Sequence, residues 1–386
     1  MSLPKKILSI ALLLAACFTL NVAEAKNVFE ENRDPNLMRK LEVKSSDKGG
    51  VLLFSDSPEC VREDGILYSD VVKGDARLLF YHLNGTNVDK KIAVVVENLS
   101  GKKNVVKISR GVVSEPGANY LQVGKNVQSE YMQETFNYSL YLDKDAKDLL
   151  IEDISSHLVK PGQLLYGIYD FHASGDVRVT VLMCPQKENP IEFIIDAKTL
   201  PKDEHRLRGT FEKMNRTINV KKTYDPDKDG IGYVMLADNV NDLYKKGMDM
   251  TDGSETENYG NYGIIYTINL NIKSGKKARI CLTPLGGYYA GAMRVTYNGE
   301  TKKILTPDDR IYFGDKTPSE PESVKKARER GISFLSNVAE LAELGVYEGG
   351  KVTFEYSPPG ASNLPVHLVL LPVEDESTKD KGQQKK

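Results

Sequence analysis

The sequence predicts an all-β protein made of two tandem β-sandwich (jelly-roll-like) domains. Three observations carry that expectation. Short strand-like runs recur along nearly the whole chain, a helical pattern stands out in only one stretch, and part of the sequence repeats. The runs in the first half are 76–83 (ARLLFYHL), 91–97 (KIAVVVE), 105–108, 164–171 (LLYGIYDF) and 177–183 (VRVTVLM). In the second half they are 263–272 (GIIYTINLNI), 277–282, 293–297, 351–356 and 365–371. Each is short, rich in Val, Ile, Leu and Tyr, and bounded by Gly, Asn, Asp or Pro. Short strands at such spacing belong to sandwiches or barrels rather than to alternating β and α units. The helical stretch is 323–330 (SVKKARER), closed by Gly331 where a helix C-cap belongs.

The repeat aligns 159–185 with 346–372 without a gap. Val159, Gly162, Tyr169, Val179 and Pro185 recur as Val346, Gly349, Tyr356, Val366 and Pro372. The shared pattern reads turn, strand, small-residue turn, strand, terminating Pro. Upstream, Ser100-Gly101-Lys102-Lys103 recurs as Ser274-Gly275-Lys276-Lys277, and both copies read as hairpin turns. The two matches do not share one offset, so the second copy carries a short helical insertion near 318–335. These observations place an N-terminal linker at 26–43, a first sandwich at 44–188, a linker at 189–203 containing Pro190 and Pro201, and a second sandwich at 204–374.

The ends read differently from the body. Lys5 and Lys6 precede an apolar run at 7–16, the length of a signal-peptide core and too short to span a membrane. Two cleavage sites compete. Ala23-Glu24-Ala25 would make 1–25 a signal peptide and release a secreted or extracytoplasmic (cell-surface or periplasmic) protein. Leu14-Ala15-Ala16-Cys17 is lipobox-like and would tether the chain to a membrane through a lipid on Cys17. The residues after Cys17 remain apolar, where a lipoprotein carries a polar tether, so free export is the reading adopted. Residues 375–386 hold no apolar side chain and read as a disordered tail.

Composition excludes several functions. The formal net charge is −2 with both signs interspersed, so no basic stripe for nucleic acid exists. Without the leader, Cys60, Cys184 and Cys281 remain. Cys60 and Cys184 could pair across the first domain, or all three could be buried thiols, the commoner fate of isolated cysteines. No Cys-x-x-Cys or His-x-x-x-His spacing is present to build a zinc site.

Two clusters rise above turn chemistry. Asp225-Pro226-Asp227-Lys228-Asp229-Gly230 has the alternating carboxylates of a calcium loop, so Asp225, Asp227 and Asp229 are candidate Ca²⁺ ligands. Leu236 stands where the twelfth-position Glu belongs, and an acidic turn is the competing reading. The second cluster is NYGNYG at 258–263 with GGYYAG at 286–291. Tyr259, Tyr262, Tyr288 and Tyr289 on Gly-rich loops are candidate ligand-binding rings, since Tyr supplies large contact area with a hydroxyl for orientation. Their alternative is packing over a sandwich edge. His172 sits near Asp170 and Asp176, but no Gly-x-Ser-x-Gly elbow or Cys partner accompanies it.

The segments NYGNYG, LGGYYAGAMRV (285–295), PPGASNLPVHLVLLP (358–372), VLLFSDSPE (51–59) and GDARLLFYHLNGT (74–86) resemble uncharacterised exported proteins of Gram-positive-related bacteria. The resemblance covers nearly the whole mature chain. In that family such a body often follows a copper-amine-oxidase N-terminal-like (stalk) domain, and the resemblance implies no established activity. It does not extend to copper oxidase chemistry. The chain has no His-x-His pair, and Asn137-Tyr138 is followed by Ser139 rather than an acid. The expectation is therefore an exported, non-catalytic binding or structural protein for a glycan or cell-wall polymer. The alternative is a secreted, glycosidase-like hydrolase whose carboxylates meet only in space.

Overall fold

The computed structural model describes residues 39–133, 135, 137–284, 287–314 and 341–373. The leader with Cys17, Gly286, the predicted helix at 323–330 and the tail at 375–386 lie outside the described residues. The first strands in chain order are β1 (Arg39–Lys40), β2 (Val43–Lys48), β3 (Val51–Ser55), β4 (Cys60–Val61), β5 (Gly65–Asn84), β6 (Lys90–Asn98) and β7 (Asn104–Val113). Helix α1 (Tyr120–Tyr131) follows, then β8 (Tyr138–Leu142), β9 (Lys147–Leu149), α2 (Glu152–Ser156), β10 (Leu164–Pro185) and α3 (Pro190–Phe193). The second half runs β11 (Arg208–Glu212), β12 (Asn215–Val220), α4 (Pro226–Asp229), β13 (Gly232–Leu236), β14 (Lys245–Asp249) and β15 (Ser254–Asn258). It ends with β16 (Ile265–Thr283), β17 (Gly291–Tyr297), β18 (Glu300–Thr306), β19 (Ala342–Tyr356) and β20 (Val366–Pro372).

The chain is an all-β sandwich built from one 9-stranded and one 11-stranded sheet. The duplication lies in the topology. In the smaller sheet a path runs β2-β12-β16-β19-β17-β18, and in the larger one the path is β11-β3-β5-β10-β7-β8. In both, the second and third strands are parallel and every other neighbour is antiparallel. Each path thus begins with a strand supplied by the other half of the chain: β2 lies beside β12, and β11 beside β3.

The exchange is made at two corners. Gly49-Gly50 carries the chain from β2 in one sheet to β3 in the other, and Lys213-Met214 does the same between β11 and β12. The corners touch, with Met214 N–H donating to Gly50 O at 2.8 Å. A Cβ on Gly50 would stand 1.7 Å from Asp75 O, so only glycine fits there. The predicted boundary at 189–203 therefore does not divide the sheets: β2 leaves the first segment, and β11, β14 and β15 leave the second. The 189–203 stretch itself lies along β5, where Leu200 is buried and its N–H donates to Ile66 O at 2.8 Å.

Two cores result. One lies between the sheets and collects Leu52, Phe54, Leu79 and Tyr81 with Ile268, Leu270 and Phe354. The other lies within the larger sheet, which folds onto itself, and collects Leu53, Leu78, Phe80, Val94 and Val179. Residues 78–81 alternate between the two cores, which is why ARLLFYHL has no polar face. A strand buried on both sides reads as a continuous apolar run.

The gapless sequence repeat does not mark equivalent positions. Residues 159–185 contain one long strand, β10, which keeps its direction against β5 through an irregularity between Ala173 and Val177. Residues 346–372 contain the end of β19 and all of β20, which flank β16 on opposite edges. The SGKK motifs are not hairpin turns either. Ser274–Lys277 lies inside β16 at a register shift. Residues 100–103 join β6 to β7, and both of these lie against β10. Small and polar residues mark bends of long strands here, as β-bulges do.

Helix α1 is the element the strand reading passed over. Asn119 Oδ1 accepts from Gln122 N–H at 3.2 Å, and Val123, Val127 and Tyr131 form one buried stripe at spacing four. A Cβ on Gly124 would lie 2.2 Å from Gly360 O, so the helix approaches the 357–364 loop closely. Cys60, Cys184 and Cys281 are all free thiols. Burial pushes Cys184 up to about 11 and Cys281 up to about 12. Among the described residues no helix is long and apolar enough to cross a membrane.

Candidate functional site

The four predicted tyrosines do not share one surface. Tyr289 is fully buried and packs edge-on against Phe313. Tyr288 is 45% exposed and meets Tyr312 edge-on, while Tyr259 is 54% exposed and meets Tyr244 edge-on. Tyr259 lines a wide trough of about 850 Å³ with acidic and basic walls that include Glu204, Arg206 and Lys246. The asparagines of NYGNYG are structural. Asn258 Oδ1 accepts from Tyr262 N–H at 2.9 Å, and its Nδ2 donates to Tyr262 O at 2.8 Å. Asn261, at φ +54°, is buried and donates to the Tyr266 hydroxyl at 2.8 Å.

The aspartates at 225–229 do not converge on a cation. Pro226 starts α4, a single helical turn. Asp225 pairs with Lys273 Nζ at 2.6 Å, Asp227 pairs with Lys276, and Asp229 Oδ2 accepts from Asp225 N–H at 2.8 Å. The lysine partner holds Asp225 below the usual carboxylate range. Among the described residues, no group of three His, Cys, Asp or Glu side chains is arranged to hold a metal ion. His172 Nδ1 lies 2.7 Å from Asp75 Oδ1 on an exposed surface, with neither Asp170 nor Asp176 as its partner.

Tyr262 enters a smaller, half-open pocket. It lines a pocket of about 160 Å³ with Phe54, Asp56, Glu59, Leu79, Tyr81, Tyr166, Leu207, Gly360 and Ala361. These residues come from β3, the loop after it, β5, β10 and three loops of the second half. The pocket therefore sits where the two halves of the chain meet. Its walls are aromatic: Tyr81 and Tyr166 meet edge-on at 5.6 Å, and Phe54 and Tyr262 lie 6.5 Å apart. The Tyr262 hydroxyl donates to Ser362 O at 3.1 Å.

The loop at 56–59 is held from behind. His82 is fully buried between Ser55 Oγ at 2.8 Å and Pro58 O at 2.9 Å. A carbonyl only accepts, so Nδ1 carries the proton and Nε2 accepts from the serine. Burial pushes His82 down to about 4, which keeps it neutral. Asp203 closes the loop by accepting from Ser57 Oγ at 2.8 Å and Glu59 N–H at 2.7 Å. Burial acts to raise Asp203, but these bonds and those from Arg206 and His205 hold it below the usual carboxylate range.

The two acids facing the pocket are shifted in the same direction. Asp56 is 9% exposed, and its Oδ1 has no hydrogen-bond partner. Burial pushes it well above the usual range, and the charges of Glu59 and Asp203 add to this. Burial also raises Glu59, with His205 opposing and Asp203 adding. A buried polar atom without a partner costs about 1–3 kcal/mol, so it marks a place where a donor belongs. Asp56, Glu59, Tyr81 and Tyr166 were not singled out from sequence. The signal available was Ser55-Asp56-Ser57-Pro58-Glu59, which sets two acids on a tight turn directly after a buried strand.

No protein-family model matches the chain, and neither does any curated protein. Similar solved structures include the CUB1-EGF-CUB2 domain of human MASP-1/3, at 8% identity over 86% of this chain and 99% of that chain, TM-score 0.20. Tripeptidyl peptidase 2 matches at 7% identity over 89% of this chain and 28% of that chain, TM-score 0.19. Vicilin from tomato matches at 10% identity over 86% and 93%, TM-score 0.13. At such TM-scores none of them carries an argument about this chain.

Proposed function

We propose that the chain is an exported, non-catalytic binding protein of the cell surface or periplasm, and that the aromatic pocket holds one small group of its ligand, a glycan or cell-wall polymer. The observation that carries this reading is a cavity walled by Tyr81, Tyr166 and Tyr262 and lined by Asp56, whose buried Oδ1 has no hydrogen-bond partner. Pockets that combine apolar walls with a few convergent polar atoms are the usual form of a small-ligand site. The signal-peptide pattern at 1–25 supports export.

The glycosidase-like alternative gains one observation, the meeting of Asp56 and Glu59 in one pocket. That reaction needs one protonated acid and one ionised carboxylate. Burial raises both pocket acids, and the ionised Asp203 spends its oxygens on Ser57 and backbone N–H groups. Calorimetry of glycan and cell-wall fragments against the mature chain tests the proposal. Tyr262→Ala is expected to abolish binding, with its melting temperature checking that the chain still folds, and Tyr288→Ala to leave binding intact. Loss in Tyr288→Ala alone would move the site to the exposed rings, and turnover of any fragment would favour the hydrolase.

A further inference from the structure

We propose that the group held in the pocket is a protonated amine, with Asp56 and Glu59 as its counter-charges and the tyrosine rings as its walls. This rests on the binding reading above. Every charged side chain lining the pocket is acidic, and four of its residues are aromatic. Aromatic faces carry negative quadrupole charge and favour cations within about 6 Å of the ring centre. An ammonium group brings three donors to a pocket whose orphaned atom is an acceptor. The volume of about 160 Å³ suits a compact head on a short carbon frame. A neutral hydroxyl would supply a donor to the Asp56 carboxyl but no charge to favour its ionised form. A bare divalent ion would find only two carboxylates, since no third metal-ligating side chain joins them among the described residues.

The occupied and empty states differ in protonation. Asp56 is faced by Glu59 on its own loop, Asp203 from the segment before β11, Tyr81 on β5, Tyr166 on β10, and Tyr262 between β15 and β16, while His205 acts on Glu59. Burial favours the protonated form of Asp56 when the pocket is empty. An arriving ammonium stabilises the carboxylate, so binding expels a proton and tightens as pH rises. Two sources carry this chemistry, an aminosugar and a lysine side chain.

The test is calorimetric titration of the full mature chain at neutral pH with matched probes: glucosamine against glucose, and Nα-acetyl-lysine against Nα-acetyl-norleucine. At least one amine is expected to bind while its neutral partner does not, with proton release seen as a heat that depends on the buffer. The amine that binds identifies the source. Asp56→Asn, which keeps the side-chain shape, is expected to weaken the amine roughly thirtyfold or more, the scale of losing one member of a buried charge pair. Its melting temperature checks the fold, and Tyr288→Ala serves as the variant that retains binding. Glucose binding as tightly as glucosamine would overturn the ammonium assignment and leave the pocket reading standing. Failure of all four probes would overturn both. Unchanged amine affinity in Asp56→Asn would overturn the role given to Asp56.

Discussion

At the scale of single residues, two aspartates at the same loop, Asp56 and Asp203, are shifted in opposite directions by their surroundings. Asp56 is raised, so the folded state binds its proton more tightly than the unfolded chain does. Its contribution to stability is fully present below the unfolded carboxylate value, near about 4, and is lost as pH rises through the folded value. Urea melts should therefore show Asp56→Asn equal to the parent in acid and more stable than it at neutral pH. Asp203 is lowered, so its stability is present above the unfolded value and lost as pH falls. Asp203→Asn should cost about 1–3 kcal/mol at neutral pH, with the difference closing in acid. Arg77 illustrates a third case. It is buried, makes a two-point pair with Asp170, and donates to Met214 O, Gly263 O and Asn215. Burial acts to lower Arg77, but Asp170 and Tyr131 hold it well above its usual value. Arg77→Ala should cost about 3–5 kcal/mol by denaturant titration, because it strands a partly buried carboxylate.

Among elements, α1 is the one that bears on the site. Its Gly124 lets the helix touch the loop that supplies Gly360 and Ala361 to the pocket. Intrinsic propensity favours Ala over Gly in a helix by about 1 kcal/mol. Gly124→Ala should nevertheless destabilise, by roughly 1–3 kcal/mol, because its Cβ has no room beside the Gly360 carbonyl. The same substitution should weaken ligand binding, since moving that loop moves a pocket wall. Thermal melts and calorimetry on one preparation check both effects. The Asn119 cap and the Val123, Val127, Tyr131 stripe were legible in the sequence. Surrounding strand patterns outweighed them, as a single helix on a β-rich background gives few residues of contrast.

For the whole molecule, the exchange of β2 and β11 binds the halves together. Each sheet lacks its first strand without the other half, and the open edge would expose unpaired N–H and C=O groups. Segments 44–188 and 204–374 expressed separately should fail to give cooperative melts by circular dichroism, while the full chain melts in one transition. Two independent cooperative transitions in the isolated segments would restore the boundary at 189–203.

The sequence by itself determined the β class and the position of most strands, because strand propensity and turn chemistry act over a few residues, while the duplication lies in the strand order. It also carried Tyr262, though as one of four rings with equal claims. The tertiary structure decided which strands pair, that small residues at 174–176 and 274–276 bend strands rather than end them, and that Asp225, Asp227 and Asp229 face lysines and backbone. It also decided the pocket. Asp56 and Tyr166 are separated by more than a hundred positions in the chain, and a carboxyl is perturbed only by the burial and charges that meet it after folding.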